Sequence, residues 1–467
     1  MHKVKFETIS TKMSADIFTP VSIYLRVRDQ FRDAVLLEST DFNCEENSYS
    51  FIGINAIAGI EYNNNILEYR LPNDEAKQIT LPPNNVVNTI QQFMECFVAK
   101  EQAQFPMSVA QSLLGYFSYT AIPLFENITI ANNATIPTVR FRFYQYIIAI
   151  NHFKDELYII ENVIDSLPSI YNQIETCITK KDVPQFPFVT ISNEVINCTD
   201  QQYLLMVEKG IAHCKRGDVF QVVLSRQFEQ SFVGDDFNVY RSLRNVNPSP
   251  YLFYFDYGNY RLFGSSPEAQ LIVQNNTAIM HPIAGTVRRT GNTELDTKLT
   301  EQLQNDPKEN AEHIMLVDLA RNDLSKFCNN IAISKLKQVK NYSHLIHLVS
   351  EVTGTLQVQN NIVNAFGHTF PAGTLSGAPK HKAMQIINEL EAQSRGYYGG
   401  AIGILGLNGT CNMAIMIRTF LSKNNVLHYQ AGAGIVAAST AANELQEVNN
   451  KIAALQTAIK LATTQYQ

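Results

Sequence analysis

The chain has 467 residues, 45% of them hydrophobic, enough for two or three ordinary domains, or one large elaborated one, around an ample core. Its 37 basic and 43 acidic side chains leave a net charge of −6, which, with no basic stripe, argues against a nucleic-acid surface. Residues 1–16 lack the apolar core of a signal peptide, and no apolar run reaches the roughly 20 residues of a membrane-spanning helix, so a soluble cytoplasmic protein with no membrane role is expected.

Residues 1–190 read as irregular α/β, with short apolar or alternating runs at 22–27, 49–57, 141–150 and 156–164 between Asn/Pro-rich loops. Residues 182–195, with two prolines and mixed polarity, look like a connector to a second region, 191–467. There a helix is predicted over 200–216. Strand-like runs follow at 219–228, 251–257, 260–263, 270–273, 277–282, 401–405, 414–421 and 426–431, several joined by short turns. Helical stretches fall at 306–320, 380–391 and 440–462. No period of 20 to 50 residues repeats, and the pattern is that of an α+β protein built on antiparallel sheets. The seven cysteines are odd in number, scattered and without a CxxC, which indicates neither zinc nor a disulfide framework.

Two acidic pairs share one spacing: Glu309 with Glu312, and Glu444 with Glu447. Residues three apart lie on one helix face, so each pair can aim two oxygen donors at a common point. Mg2+ favours such a partial, oxygen-only set, completed by water and an anionic substrate. Asp306, Pro307 and Glu309 also fit an N-cap, a first-turn proline and a capping-box acid. Glu312 has no such structural role, which makes it the better ligand candidate. Glu444, Glu447 and Lys451 form one stripe that an ordinary ion-pair ladder would equally produce.

Two Gly-rich strings point to backbone contacts with an anion. Residues 371–380 (PAGTLSGAPK) form a small-residue loop opening onto a helix, whose free N–H groups and dipole can hold a carboxylate. The loop lacks the Walker A spacing. The Gly432-Ala433-Gly434 turn offers a second approach, and Arg418 can fork onto a carboxylate.

These strings occur together with GDVFQVVLSR, NPSPYLFYF, SSPEAQL, HPIAGT, DLARND, HLVSEVTGTL, GYYGGAIG, IRTF and AGAGIVAAST. In this order they resemble the chorismate-utilising enzymes, and within them anthranilate synthase component I. The resemblance is dense from about 195 to 460 and thin before that, carried there chiefly by Leu36-Leu37-Glu38-Ser39. It implies large antiparallel sheets in a sandwich core with helices packed outside.

Two positions bear on the subfamily. Relatives that add water carry a lysine base where this chain has Gln221, and ammonia needs no such base. Aminodeoxychorismate synthases generally carry a nucleophilic lysine in PIKGT, where this chain has Ala284, which cannot form a covalent adduct. The resemblance implies that Mg2+, held by Glu312 and Glu447 with Glu309 and Glu444 close by, meets the ring carboxylate of chorismate. Ammonia would attack the adjacent ring carbon. Glu268 would protonate the departing hydroxyl as general acid, and His347 would assist pyruvate elimination, with His344 a weaker candidate. Thr374, Tyr398, Arg418, Gly432, Ala433, Gly434 and Lys451, together with Gly285 and Thr286, would fix the substrate. A tryptophan-inhibitor site would join Glu38 and Ser39 to Pro250, Tyr251 and Leu252. No cysteine sits in a nucleophile-elbow context, so a separate glutamine amidotransferase subunit is the implied ammonia source. Aminodeoxychorismate synthase component I and a non-catalytic chorismate or tryptophan sensor remain as alternatives.

Overall fold

The structure, a computed structural model, describes residues 1–39, 48–130, 135–341, 345–357 and 361–465. His344 and Cys44 lie outside them. The strands follow one hydrogen-bonded path. It starts at Gln221–Gly234 and passes through Val426–Ile435, Thr419–Lys423, Tyr260–Ser266, Tyr251–Asp256 and Val35–Glu38 to Tyr49–Asn63. From there it continues through Val139–Asn151, Ser112–Phe117, Ala401–Gly406, Cys411–Ile415, Ala269–Gln274 and Thr277–Met280 to Leu345–Leu356. Every pairing on this path is antiparallel, as the short-turn grammar predicts. Strands of residues 1–190 are interleaved with later ones: Val35–Glu38 lies against Tyr251–Asp256, and Ser112–Phe117 against Ala401–Gly406. The first 190 residues therefore share their sheets with the rest.

Helices close the outer faces. Asp200–Arg216 is helical as predicted, because both ends are written locally: Thr199 and Gln202 form a capping box, and Gly217 at φ 82° closes the far end. Tyr203, Met206, Val207, Gly210 and Cys214 make its buried stripe, and the helices Phe237–Val246, Lys380–Leu390 and Ala441–Gln465 line the same core. A second core lies under Pro83–Met94, Ile362–Thr369 and Pro307–Ser325. Asp306 caps the last of these, accepting from the Glu309 N–H at 3.1 Å. The apolar run 22–27 is helical, within Pro20–Val27, since Thr19 and Ser22 form a capping box there. The connector is pinned by two short strands, Phe188–Thr190 and Val195–Ile196, both paired with Gln221–Gly234. No helix among the described residues is long and apolar enough to cross a membrane.

Candidate active site

Two stretches of chain leave one sheet and enter the next side by side. Tyr260–Ser266 pairs with Thr419–Lys423, while the next strand on, Ala269–Gln274, pairs with Cys411–Ile415. Glu268 occupies the gap in one stretch and Arg418 the gap in the other. The predicted single strand over 414–421 is thus two strands. The chain changes sheets there, and such corners need locally bent backbone: Arg418 sits at φ 49°. Backbone bonds from Ser265 N to Arg418 O (3.1 Å) and from Ile415 N to Glu268 O (3.0 Å) lock the two gaps face to face.

Glu268 is partly buried, and the Thr374 hydroxyl donates to its Oε1 at 3.0 Å. Burial pushes its carboxyl up to about 7, against the Thr374 bond and the charges of Arg418 and Lys451, which favour ionisation. A carboxyl that gains and loses its proton near neutrality suits general acid work. His347 is 7% exposed and lies on Leu345–Leu356, its backbone opposite Thr286. Burial, reinforced by the Arg418 charge, brings the imidazole down to about 4 despite a hydrogen bond to the Gly285 backbone. It is therefore neutral at physiological pH and able to accept a proton. Gly285 has φ 72°, and a Cβ there would stand 2.8 Å from Leu303 Cδ1 and 3.3 Å from Glu309 Oε2. Glycine at this position lets a carboxylate from the Pro307–Ser325 helix lie against the strand that faces His347.

The Gly432-Ala433-Gly434 segment is not a turn. It runs inside strand Val426–Ile435, opposite Ser225, Leu224 and Val223. Its glycines serve close approach: a Cβ on Gly434 would stand 2.4 Å from Gln221 Nε2, and one on Gly432 2.8 Å from Leu224 O. The Gly432 carbonyl accepts from Lys451 Nζ at 2.8 Å, and its backbone also hydrogen-bonds Tyr398, whose phenol burial holds well above its usual range. Gly434→Ala is expected to displace the Gln221 amide and lower turnover at least about tenfold, with less than about 2 kcal/mol lost in urea unfolding. A fully active variant would remove Gln221 from the site.

The 371–380 string also differs from the open loop predicted. Gly373–Ser376 is a single helical turn, and Gly377–Ala378 pairs with Gln221–Val222. The Leu375 and Gly377 amides are spent on Ala372 and Gly373 carbonyls, so the cradle offers fewer free donors and the Thr374 side chain becomes its clearest polar group. The acidic pairs stand apart in character. Glu444 is 8% exposed, whereas Glu447 meets solvent and pairs with Lys451 at 2.6 Å. Among the described residues, no three His, Cys, Asp or Glu side chains gather into a group able to hold a metal. All four glutamates are hard oxygen donors of the kind Mg2+ takes, and that ion is commonly held by one or two carboxylates plus substrate and water. The donor chemistry fits; a closed protein cage is not what these residues make.

At the positions expected to form an inhibitor site, Glu38 lies directly opposite Leu252 across the sheet. The Tyr240 hydroxyl donates to Glu38 Oε1 at 2.6 Å, and Arg244 Nε stands 3.2 Å from it. Ser39, Pro250 and Tyr251 are partly buried at the ends of the same two strands.

Sequence reasoning missed two buried cations. Arg395, 3% exposed, donates to Glu391, to the Leu375 carbonyl at 2.6 Å and to the Val223 carbonyl at 2.7 Å. It thereby ties the Thr374 turn to the Gln221 strand, with Glu391 in turn accepting from Ser225. Lys380 is the second. The only sequence signal for either was its place beside a recognised string, ahead of GYYGG and at the end of SGAPK.

Comparison with known proteins agrees with this geometry. A family model described as chorismate binding enzyme matches residues 43–457. Anthranilate synthase component 1 of Lactococcus lactis is 36% identical, over 97% of this chain and 98% of that protein. The same-named protein of Acetivibrio thermocellus is 35% identical, over 97% and 95%. The crystal structure of anthranilate synthase component I from Streptococcus pneumoniae superposes with a TM-score of 0.76 at 31% identity, over 95% of this chain and 99% of that one. A menaquinone-specific isochorismate synthase of Escherichia coli, at 18% identity, 98% and 95% coverage and a TM-score of 0.74, shares the fold.

Proposed function

Because the chain belongs to the chorismate binding enzyme family, we propose that it is an anthranilate synthase component I. In this reading it converts chorismate and ammonia to anthranilate and pyruvate, the first step of tryptophan biosynthesis. The observation that carries it is the pairing of a carboxyl that titrates near neutrality, Glu268, with a fixed cation, Arg418, across the sheet corner, beside non-basic residues where relatives carry a lysine base and a lysine nucleophile, Gln221 and Ala284.

Arg418, Tyr398, Lys451 and the Gly432–Gly434 backbone bind the substrate carboxylates and hold the ring against Glu268. Ammonia forms the new C–N bond at the ring carbon beside the carboxylate. Glu268, protonated, gives its proton to the ring hydroxyl, which departs as water. His347, neutral, takes the ring proton as the pyruvyl ether breaks and the ring becomes aromatic. Thr374 keeps the Glu268 carboxyl oriented between these steps. Glu312 and Glu447 would hold Mg2+, with Glu309 and Glu444 behind them. The ion would supply Lewis-acid neutralisation of the ring carboxylate. Ammonia comes from a glutamine amidotransferase partner subunit, and tryptophan inhibits at the Glu38/Ser39 and Pro250–Leu252 site.

The test is anthranilate fluorescence on mixing the chain with chorismate, Mg2+ and ammonium, repeated with glutamine in place of ammonium. Signal with ammonium alone is expected. Silence in both, with chorismate still bound, would overturn the reading. A non-aromatic amino product that keeps the pyruvyl group would assign aminodeoxychorismate synthesis instead.

A further inference from the structure

Two rungs join the segment around Glu268 to the segment that ends in Thr374. The first is the Thr374 hydroxyl on Glu268. The second begins at Gln270, two residues along, whose Nε2 donates to the Thr369 carbonyl at 2.8 Å and to its hydroxyl at 3.2 Å. Lys380 Nζ donates to the same carbonyl at 2.9 Å and to Asp323 Oδ2 at 2.7 Å. Every member of the second rung is sequestered: Thr369 0%, Gln270 1%, Asp323 3% and Lys380 9% exposed. Asp323 lies near the end of the Pro307–Ser325 helix, and Leu319 of that helix packs so closely on Gly373 that a Cβ there would stand 2.0 Å from its Cδ2. The Lys380 ammonium thus joins the end of the Ile362–Thr369 helix, four residues before the Gly373–Ser376 turn, to the Pro307–Ser325 helix, and shares the Thr369 carbonyl with Gln270 of the strand entered through Glu268. Burying an ion pair gives little or no net stability over apolar residues of the same volume. A role in placement accounts for it better than a role in holding the fold together.

We propose that Lys380 is a positioning residue for Glu268: through Thr369 and Gln270 it sets the spacing between strand Ala269–Gln274 and the Gly373–Ser376 turn, and so keeps the Thr374 hydroxyl on the Glu268 carboxylate. The inference rests on the function proposed above for its link to turnover, but its geometry is independent of it. The charged and titratable groups facing Glu268 are Arg418 and Lys451, with His281 and Asp323 lining the same pocket as Gln270, Gly373 and Thr374. Without the second rung the turn is free to drift, the Thr374 bond weakens, and the ionised form of Glu268 loses a partner that favours it.

Difference infrared spectroscopy, wild type minus Glu268→Gln across a pH series, reads the Glu268 carboxyl band without turnover. In the Asp323→Asn/Lys380→Met double variant, which leaves no lone charge buried, the midpoint is expected to rise by about one pH unit. Turnover with ammonium is expected to fall at least tenfold, mostly in kcat. Lys380→Arg should restore much of it. Adding Thr374→Val should move the midpoint no further, because both changes act on one bond. Gln270→Met, which leaves the ion pair intact, is the second variant and should give the same shift. An unmoved midpoint in either folded variant, or shifts that add to that of Thr374→Val, would overturn the proposal. A chain that makes no anthranilate but shows these shifts would sink the functional reading and leave this one standing.

Discussion

Glu268→Gln is expected to lower anthranilate formation from ammonium by about 100- to 10,000-fold, the range of a lost general acid, while making the protein more stable at alkaline pH. Both effects have one cause. The folded protein raises the Glu268 carboxyl from 4.5 to about 7, chiefly by burial. Below the unfolded value the group is protonated in both states and costs nothing. Between 4.5 and 7 the unfolded chain ionises first, so stability falls as pH rises, and above 7 the full penalty is present. The shift corresponds to at most about 3 kcal/mol, reduced by partial solvent access. Glutamine, neutral throughout, accepts the Thr374 hydroxyl just as well and carries no such penalty. Urea midpoints at pH 4 and pH 8 should therefore separate the variant from wild type mainly at the higher pH. Full activity in the variant would remove Glu268 from the chemistry, and equal midpoints at both pH values would show that burial is not what tunes it.

The starts of the helices that carry candidate residues were legible because such breaks are written locally. Thr199 and Gln202 announce a helix start, and so do Asp306 and Pro307. What escaped was decided by contacts distant in sequence. Gly432 and Gly434 look like turn residues, yet they are extended, and their lack of a side chain answers to Gln221 and Leu224 more than 200 residues away. The break at Arg418 inside a strand-like run follows from the neighbouring stretch changing sheets at Glu268, which no period in 414–421 encodes. Nothing local marks Arg395 and Lys380 as buried, because their partners lie on other elements. No local pattern encodes the interleaving of residues 1–190 with the later strands; the resemblance alone brought Glu38 to Leu252, and the strand pairing between them spans the whole intervening region.

That pairing underlies the second large effect. Glu38→Gln is expected to raise the tryptophan concentration for half-inhibition by about 30-fold or more, since a buried charge partner at a binding site is commonly worth 2 kcal/mol and upward. Glu38 is 5% exposed; Tyr240 and Arg244 engage Oε1, while Oε2 has no partner among the described residues. A buried acceptor left open on a carboxylate suits the ammonium of an amino acid. Burial raises the Glu38 carboxyl, with Arg244 and the Tyr240 hydroxyl opposing, so inhibition should weaken as pH falls and the group is protonated. The physical route to the reaction centre is short. Leu252, opposite Glu38, pairs on its other side with Ser265. The Ser265 hydroxyl is bonded to the Asn247 carbonyl and its N–H to the Arg418 carbonyl, and Arg418 Nη1 reaches Asn247 Oδ1 at 3.4 Å. A ligand that spreads Glu38 from Leu252 therefore pulls on the residue that faces Glu268. The measurement is the ratio of inhibited to uninhibited rates across a tryptophan titration of wild type and variant. Superimposable curves would place the inhibitor elsewhere, and a variant that binds tryptophan normally by calorimetry yet escapes inhibition would locate Glu38 on the route and not in the site.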